Sequence, residues 1–446
     1  LAAQRRGLVE RTDEISARHD EAKRAATDAV KDSVRNDPTV ERVLLISDLF
    51  GKFRLIIWAP SESIEAAKQA FQPKLERGCG HWWTGEILLA SDAGEAHKSI
   101  WDAAWTQARP YPDEPRFRTL DRHRNRTAWF ADVDEPLWSF PEGGPPIIVF
   151  YSFKGGLGRS TTLASFAIQR ARAGERACVV DFDLDSPGIG RLLSADEKGL
   201  TSPWGVVDNL LERAQGDVPL SDYHHTCARV AGPGEIVVFP AGTLDAGYAV
   251  KLARIDLEDP PSAHASGFVN LLDDIRSMIK PDWILIDART GVSEPAGHLL
   301  SGLAHLHVLL GTTSEQSWQG LKLVLDRLGR DRVLKNKPQA EVLLVQAMLP
   351  PTAETARRAA ETFAERARFE FSKSYYAEEP VDSADDRFWD VRDLDSADAP
   401  HMPVTLAYEP RLADFRDIAA VADYLCERQY MAIAERIGAR FEKEQH

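Results

Sequence analysis

A glycine-rich run between two apolar segments carries the clearest chemical signal in this sequence. It reads Phe153-Lys154-Gly155-Gly156-Leu157-Gly158-Arg159-Ser160-Thr161. The segment before it predicts a β-strand, and the segment after it has helical periodicity. Glycines let backbone N–H groups approach an anion closely, and a helix N-terminus adds its dipole and its unpaired N–H groups. The run therefore predicts a phosphate-binding loop, in which the Ser160 hydroxyl is placed to bind Mg²⁺.

Carboxylates follow two further predicted strands. Asp181 and Asp183 lie at the end of the apolar segment 177–181, and Asp287 ends the segment 283–287. The carboxyl ends of strands in an open α/β sheet meet at one edge, where such sheets bind ligands. Phosphoryl transfer needs charge neutralisation and a carboxylate that orients water, so these residues fit the chemistry of the loop. A carboxylate can instead cap a strand end, and we prefer that interpretation for Asp185.

The elements around these residues predict an α/β fold. After Pro146, short apolar runs alternate with helical segments. The runs cover 147–152, 177–181, 235–239, 283–287, 306–310 and 341–345, and the helical segments include 161–173, 267–279 and 318–328. Strands that are buried on both faces and joined by helices indicate parallel crossovers. Residues 147–446 are therefore predicted to form a doubly wound, mostly parallel α/β domain.

Together these motifs resemble those of the ParA/MinD-like P-loop NTPases of the SIMIBI class, whose Walker loop is deviant. The hallmark of that family is an additional lysine near the start of the loop, which is Lys154 here. The run from Val179 to Gly188, which contains Asp181 and Asp183, resembles the family's second motif. The strand 284–287 with Ala288-Arg289-Thr290-Gly291 resembles its Walker B strand and switch. The sequence also resembles a bacterial subgroup with a Lys-Gly-Gly-x-Gly-Arg loop and an Asp-x-Arg-Thr-Gly switch. The resemblance covers residues 147 to about 425.

The resemblance implies ATP and Mg²⁺ as cofactors and a homodimer that forms across the nucleotide. In the family the signature lysine, Lys154, reaches the partner's phosphates, and the carboxylate at Asp183 orients the attacking water. Asp181 supports the magnesium shell, and Asp287 holds the ion, through water. The implied catalytic residues are Lys154, Arg159 and Asp183, and the implied metal-binding residues are Ser160, Asp181 and Asp287. The implied nucleotide-binding residues are Gly155, Gly156, Leu157, Gly158, Arg159, Ser160, Thr161 and Arg289.

Two arginines leave alternatives open. Arg159 stands where the family loop usually has lysine, and its guanidinium is longer, planar and forked. It can clamp the β- and γ-phosphates, or it can leave a protein that binds nucleotide and turns it over slowly. Arg289 follows Asp287 in the switch. It can contact phosphate or the switch, or it can form an ion pair with one of the many acidic residues.

The N-terminal part has a different composition and predicts a separate small α/β domain. Residues 1–37 are highly charged with a narrow apolar stripe, which predicts a long helix that packs on its own domain; a coiled-coil fragment is the alternative. Residues 38–140 are rich in tryptophan and predict a hairpin of strands 43–46 and 53–58, a helix capped by Ser61 or Ser63, and a third strand at 86–90. The proline-rich stretch 141–146 is predicted to be a linker.

Composition excludes several classes of protein. The formal net charge of −15 argues against a protein that coats nucleic acid by bulk charge. No stretch approaches the roughly 18–20 apolar residues of a membrane span. The four cysteines are far apart, as is typical of a reducing compartment, so we expect a cytoplasmic protein. Because the sequence starts at Leu1 and not at methionine, we expect it to begin inside a longer gene product.

Three functions fit these observations. The first is an ATPase that works as a nucleotide-dependent dimerisation switch, as a regulatory component of a larger bacterial system. The second is a nucleotide-bound scaffold with little or no hydrolysis because the loop lysine is replaced by Arg159. A kinase similar to the bacterial tyrosine kinases ranks third, since no tyrosine cluster ends the chain. We expect a protein partner to bind through residues 1–140 or through the acidic segment 378–398.

Overall fold

The chain forms two compact units, residues 1–125 and residues 126–446. The computed structural model describes residues 18–60, 64–90, 94–122, 127–131, 135–213, 219–255, 267–378, 388–415 and 417–442. The division between the units lies earlier than the linker expected at 141–146. That stretch belongs to the second unit, where the Gly143 carbonyl accepts a hydrogen bond from Arg276 Nη1 at 2.6 Å.

The first unit is built on a mixed five-stranded sheet with the order β3-β2-β1-β5-β4. Its strands are β1 (Arg42–Ser47), β2 (Phe53–Trp58), β3 (Trp83–Leu89), β4 (Arg109–Tyr111) and β5 (Glu114–Asp121). Strands β1 and β2 pair antiparallel, which confirms the predicted hairpin, and β3 confirms the predicted third strand. The alternation of side chains along each strand gives the sheet two apolar faces.

Helices cover both faces of this sheet. They are α1 (His19–Asn36), α2 (Ile64–Cys79) and α3 (Glu95–Gln107). On one face, α1 buries its stripe of Ala22, Ala26, Val30 and Val34 in a core that includes residues of α2. On the other face, residues of α3 pack beside Trp58. The predicted caps Ser61 and Ser63 and the first part of the predicted N-terminal helix lie outside the described residues.

The second unit contains an eight-stranded sheet with the order β13-β12-β11-β6-β10-β7-β9-β8. The strands are β6 (Ile147–Ser152), β7 (Arg176–Phe182), β8 (His225–Thr226), β9 (Glu235–Phe239), β10 (Trp283–Ala288), β11 (Leu306–Gly311), β12 (Val342–Leu349) and β13 (Val404–Ala407). Neighbouring strands are parallel from β13 to β9, and only the two-residue β8 is antiparallel. The predicted doubly wound, mostly parallel sheet is therefore confirmed.

Helices pack on both faces of the larger sheet. They are α4 (Arg159–Arg172), α5 (Ile189–Leu192), α6 (Val206–Arg213), α7 (Tyr248–Leu252), α8 (Gly267–Asp274), α9 (Glu294–Leu299), α10 (Glu315–Leu325), α11 (Asp331–Val333), α12 (Ala353–Ser374) and α13 (Arg428–Glu442). Residues of α4 and α13 belong to the core on one face. Residues of α6, α8, α10 and α12 belong to the core on the other face. Within the described ranges, no helix is both long and apolar enough to cross a membrane.

The strand order brings the predicted site residues together. Strand β10 lies between β6, which leads into the glycine-rich run, and β7, which carries Asp181. Asp287 on β10 is the direct register partner of Asp181 on β7. Because the three strands are parallel, their carboxyl ends meet at one edge, which is where an open sheet of this kind binds ligands.

Candidate functional site

The phosphate loop takes the backbone conformation that its glycines permit. Strand β6 ends at Ser152, whose hydroxyl donates to the Lys154 carbonyl at 2.8 Å. Gly156 and Gly158 have φ angles of 77° and 81°, in the left-handed region that disfavours other residues. Helix α4 begins at Arg159, directly after the second of these glycines. The sequence therefore provides a bent loop and the N-terminus of a 14-residue helix at one place.

Arg159 points into the sheet edge and bridges two carboxylates. Its Nε lies 2.5 Å from Asp287 Oδ1, and its Nη2 lies 2.8 Å from Asp183 Oδ2. The side chain is 9% exposed, and Nη1 is a buried atom without a hydrogen-bond partner among the described residues. Burial lowers the pKa of Arg159, but the two carboxylates outweigh it and the net shift is upward. Charge-assisted hydrogen bonds of this length are strong, so Arg159 is firmly held.

Ser160 and Asp287 supply oxygen atoms that fit a magnesium ion. The Ser160 hydroxyl donates to Asp287 Oδ2 at 2.6 Å. Burial raises the pKa of Asp287, while Arg159 and Ser160 act in the opposite direction. Hydroxyl and carboxylate oxygens are hard ligands of the kind that Mg²⁺ takes in phosphate sites, together with the phosphates of the substrate. The structure thus places two of the predicted metal-binding residues, Ser160 and Asp287, in contact with each other.

Asp181 is tied to a backbone loop. Its Oδ2 accepts from the N–H groups of Gly188 at 3.1 Å and Gly190 at 3.4 Å, and its Oδ1 accepts from the N–H of Asp183 at 3.3 Å. Burial, reinforced by the charge of Asp287, raises the pKa of Asp181 to about 8. In this arrangement Asp181 fixes the turn after β7, and its predicted support of a magnesium shell stays a prediction.

Asp183 is surrounded by hydrogen-bond donors. Besides the bond from Arg159, its Oδ1 accepts from Ser186 Oγ at 3.0 Å and from Arg289 Nη1 at 3.3 Å. Arg289 Nε also lies 2.8 Å from Asp185 Oδ2. Arg289 therefore adopts the ion-pair alternative, with Asp183 and Asp185 as its partners. Asp185 therefore forms an ion pair with Arg289, which its interpretation as a strand-end cap did not predict.

Two cavities adjoin the loop. One of about 310 Å³ is lined by the loop glycines and by Arg159, Ser160, Asp183 and Thr290. The other, of about 380 Å³, lies against Gly156, Leu157, Gly158 and Thr161. Its far wall consists of residues that the sequence analysis did not identify. They include Met348, Leu406, Ala407, Tyr408, Glu409, Leu412, Ala413 and Tyr430.

Part of the far wall is built from the ends of β12 and of the edge strand β13. The register between β12 and β13 is irregular between Gln346 and Leu349, and Met348 has a φ of 60°. A residue other than glycine in the left-handed region is strained, and such strain clusters at functional sites. Tyr408 follows β13 and is 45% exposed. No local signal marks these residues, because neither the irregular register nor the four-residue strand β13 has a distinctive sequence pattern.

Lys154 lies within the loop and is half-buried. Its predicted reach to the phosphates of a partner subunit is a property of a dimer and stays a prediction. Gly155 is exposed, and Leu157 is buried in the core that α4 and α13 share. Thr161 lines both cavities. All seven predicted residues of the loop from Gly155 to Thr161 therefore lie at the edge where the predicted carboxylates meet.

The chain is weakly similar to a curated protein and to several solved structures. No protein-family model matches the chain. An ATP-binding protein of Methanocaldococcus jannaschii, itself uncharacterised, is 28% identical over 232 residues, which are 48% of this chain and 77% of that protein. Among solved structures, pNOB8 ParA bound to nonspecific DNA is similar, with a TM-score of 0.44, 16% identity and coverage of 67% of this chain and 99% of that one. The cell division protein MinD of Aquifex aeolicus has a TM-score of 0.42 at 16% identity, covering 66% of this chain and 97% of that one. Identities at these levels do not establish membership of a family.

Proposed function

We propose that the protein is a P-loop ATPase that binds Mg-ATP and works as a nucleotide-dependent dimerisation switch in a larger bacterial system. The observation that carries the proposal is the contact between Ser160 and Asp287, 2.6 Å apart, beside a glycine loop in the left-handed conformation. A loop at a helix N-terminus, a hydroxyl and a strand-end carboxylate are the parts that a phosphate and a magnesium ion require together.

The protein groups at this site bind and orient the phosphates. The N–H groups of the loop and of the first turn of α4 supply donors that have no partner within the helix. Mg²⁺, when bound, would neutralise phosphate charge, and Ser160 and Asp287 would hold it. Asp183 lies on the same edge and is the carboxylate available to orient water. The attack of water on the γ-phosphate breaks the bond to the β-phosphate and releases ADP, inorganic phosphate and a proton.

The second cavity fits the nucleoside part of the ligand, and we call it the base-side cavity. It is lined on one side by the phosphate loop and on the other side by Met348, Leu406 to Glu409, Leu412, Ala413 and Tyr430. An apolar wall with a few polar groups is typical of sites that bind a planar ring. The similarity to an ATP-binding protein supports adenine as that ring.

A nucleotide-bound scaffold with little turnover is the second candidate. The observation that favours it is the occupation of both Asp183 oxygens, Oδ2 by Arg159 and Oδ1 by Arg289 and Ser186. A carboxylate so engaged has to release a donor before it can orient water. On this alternative the nucleotide stabilises the fold, and a partner protein binds through residues 1–140 or the acidic segment 378–398.

Light scattering with and without Mg-ATP tests the switch, with phosphate release followed in the same samples. We expect the wild type to dimerise with Mg-ATP and to return to monomer as phosphate is released. Lys154→Ala should remain monomeric, because the cation that reaches the partner's phosphates is gone. Lys322→Ala, an exposed lysine on α10, is the control. A mass that is indifferent to nucleotide, without phosphate release, would exclude the switch.

A further inference from the structure

The carboxylates of the candidate metal site already have a cation, and it belongs to the chain. Arg159 spans Asp287 and Asp183 with contacts of 2.5 Å and 2.8 Å. The other oxygen of Asp287 accepts from Ser160. The two groups that would hold Mg²⁺ are therefore bonded to each other and to the guanidinium. A divalent ion competes with this arrangement before it reaches either group.

The geometry depends on the shape of arginine. Its planar fork directs two nitrogens at two different carboxylates, 2.5 Å and 2.8 Å away. Lysine has a single ammonium nitrogen on a flexible stem and cannot make this bridge in the same way. Removing a buried cation from a carboxylate pair leaves uncompensated negative charge, which is strongly unfavourable. Arg159 therefore offsets part of the negative charge of two carboxylates that would otherwise repel the phosphates of an incoming nucleotide.

We infer that Arg159 is a built-in counter-ion that holds the place of Mg²⁺ beside Asp183 and Asp287 while nucleotide binds, so that nucleotide binding depends little on Mg²⁺ and the ion reaches Ser160 and Asp287 only for turnover. The inference rests on the proposed function and refines it. In a site with only carboxylates at the sheet edge, Mg²⁺ screens them from the phosphates. Here the guanidinium performs that screening before the nucleotide arrives. Binding and turnover are then separated: binding needs the loop, whereas turnover needs Asp183 to be released.

Nucleotide affinity with and without Mg²⁺ tests the inference. The probe is a fluorescent N-methylanthraniloyl derivative of ATP, titrated onto the full chain in excess Mg²⁺ and in EDTA. We expect the wild-type dissociation constants to differ by less than about threefold. In Arg159→Lys the ratio should rise to about tenfold or more, because an ammonium lacks the planar fork that directs two separate nitrogens at the two carboxylates.

The matched control is Arg327→Lys, a change of another buried arginine. Arg327 is 4% exposed, and its guanidinium donates to the carbonyls of Leu300, Trp129 and Ala128 within the same unit. It should keep the small wild-type ratio. Circular dichroism shows whether each variant is folded. If Arg159→Lys does not fold, the wild-type ratio by itself still decides the inference.

The outcomes separate the inference from the proposed function. Wild-type binding that weakens about tenfold or more in EDTA would overturn the inference and leave the proposed function standing. Failure of the wild type to bind the probe in either buffer would overturn both. A second readout uses Mn²⁺ without nucleotide, followed by electron paramagnetic resonance. We expect the wild type to leave Mn²⁺ free at concentrations at which Arg159→Lys binds it, and tight Mn²⁺ binding by the wild type would contradict the inference.

Discussion

The phosphate end and the base end of the candidate nucleotide site are built in different ways. The phosphate end uses the backbone of one short run, from Ser152 to Thr161, with two carboxylates behind it. The base end uses the ends of β12 and β13 together with Tyr408, Glu409, Leu412, Ala413 and Tyr430. A site made from contiguous backbone fails when the loop conformation fails. A site assembled from distant side chains loses one contact at a time, so the two ends should respond differently to substitution.

The largest expected effect is on turnover, in Asp183→Asn. The amide keeps the shape of the side chain but is a weaker base, so we expect phosphate release to fall by about 10²-fold or more. If the chain is a switch, the variant should accumulate as a nucleotide-bound dimer, measured by light scattering. If the chain is a scaffold, neither quantity should change. Circular dichroism of the variant is the control for folding, because Asp183 also pairs with Arg159 of the loop.

The next effect is on binding, in Gly156→Val at the phosphate end. The φ of 77° is one that a β-branched residue adopts only at a cost of about 1–3 kcal/mol. We expect the affinity for ATP, GTP and inorganic tripolyphosphate to fall together, by about 10- to 100-fold. Gly94→Ala is the control, since a Cβ at Gly94 has open space and its φ is −66°. A loss of affinity for one nucleotide without a loss of affinity for tripolyphosphate would contradict this assignment.

The phosphate end was predictable because its signals are local. The glycines, Ser160 and the apolar strand before them are adjacent in sequence, and Asp287 closes a run that is apolar throughout. The pattern of buried strands therefore predicts which carboxylates lie close together, and the register pairing of Asp287 with Asp181 agrees with that prediction. The direction of Arg159 was not predictable. A guanidinium that lies next to both a phosphate loop and two carboxylates can pair either with the phosphates or with the carboxylates. The sequence alone does not show which of these two arrangements has the lower free energy.

A smaller effect is expected at the base end, in Tyr408→Ala. Stacking of a base on an aromatic side chain is worth about 1–3 kcal/mol, so we expect ATP affinity to fall by about tenfold. Tripolyphosphate affinity should stay unchanged, because it does not use the base-side cavity. The measurement is displacement of the fluorescent nucleotide by each ligand. Phe369→Ala, an exposed aromatic residue on α12, is the control. Equal losses for both ligands would place Tyr408 at the phosphate end.

The base end was not predictable from the sequence for a physical reason. Strand β13 has four residues and pairs with only one neighbour, so its pattern of burial is weak. Met348 reaches the cavity because the register shifts and its φ is 60°. Methionine is not a residue type that predicts a left-handed backbone conformation. More than 50 residues separate Met348 from Leu406, so only the folded sheet brings them together.

The smallest expected effect on nucleotide binding comes through an acid-dependent loss of stability near β13. His401 is buried, and its Nδ1 is hydrogen-bonded to Tyr376 Oη at 2.6 Å. Burial, with the charge of Arg368 against that of Asp395, lowers the pKa of His401 to about 4. The unfolded chain therefore binds a proton that the folded chain excludes, between about pH 6.5 and pH 4. Stability is complete above pH 6.5 and should fall by up to about 1.4 kcal/mol per pH unit as the pH drops through this window. Urea unfolding at pH 7, 6 and 5 measures the slope.

His401→Asn separates this histidine from the other groups that titrate. An amide oxygen can accept from Tyr376 but takes up no proton, so the variant should have a shallower slope than the wild type over the same pH range. Because His401 lies three residues before β13, we also expect ATP affinity to decline at pH 5 before tripolyphosphate affinity does. A parallel decline of both ligands would mean that acid acts on the phosphate end. The base end would then not be the end whose ligand affinity acid lowers first. The difference between the two ends would in that case be supported by the Tyr408 and Gly156 variants alone.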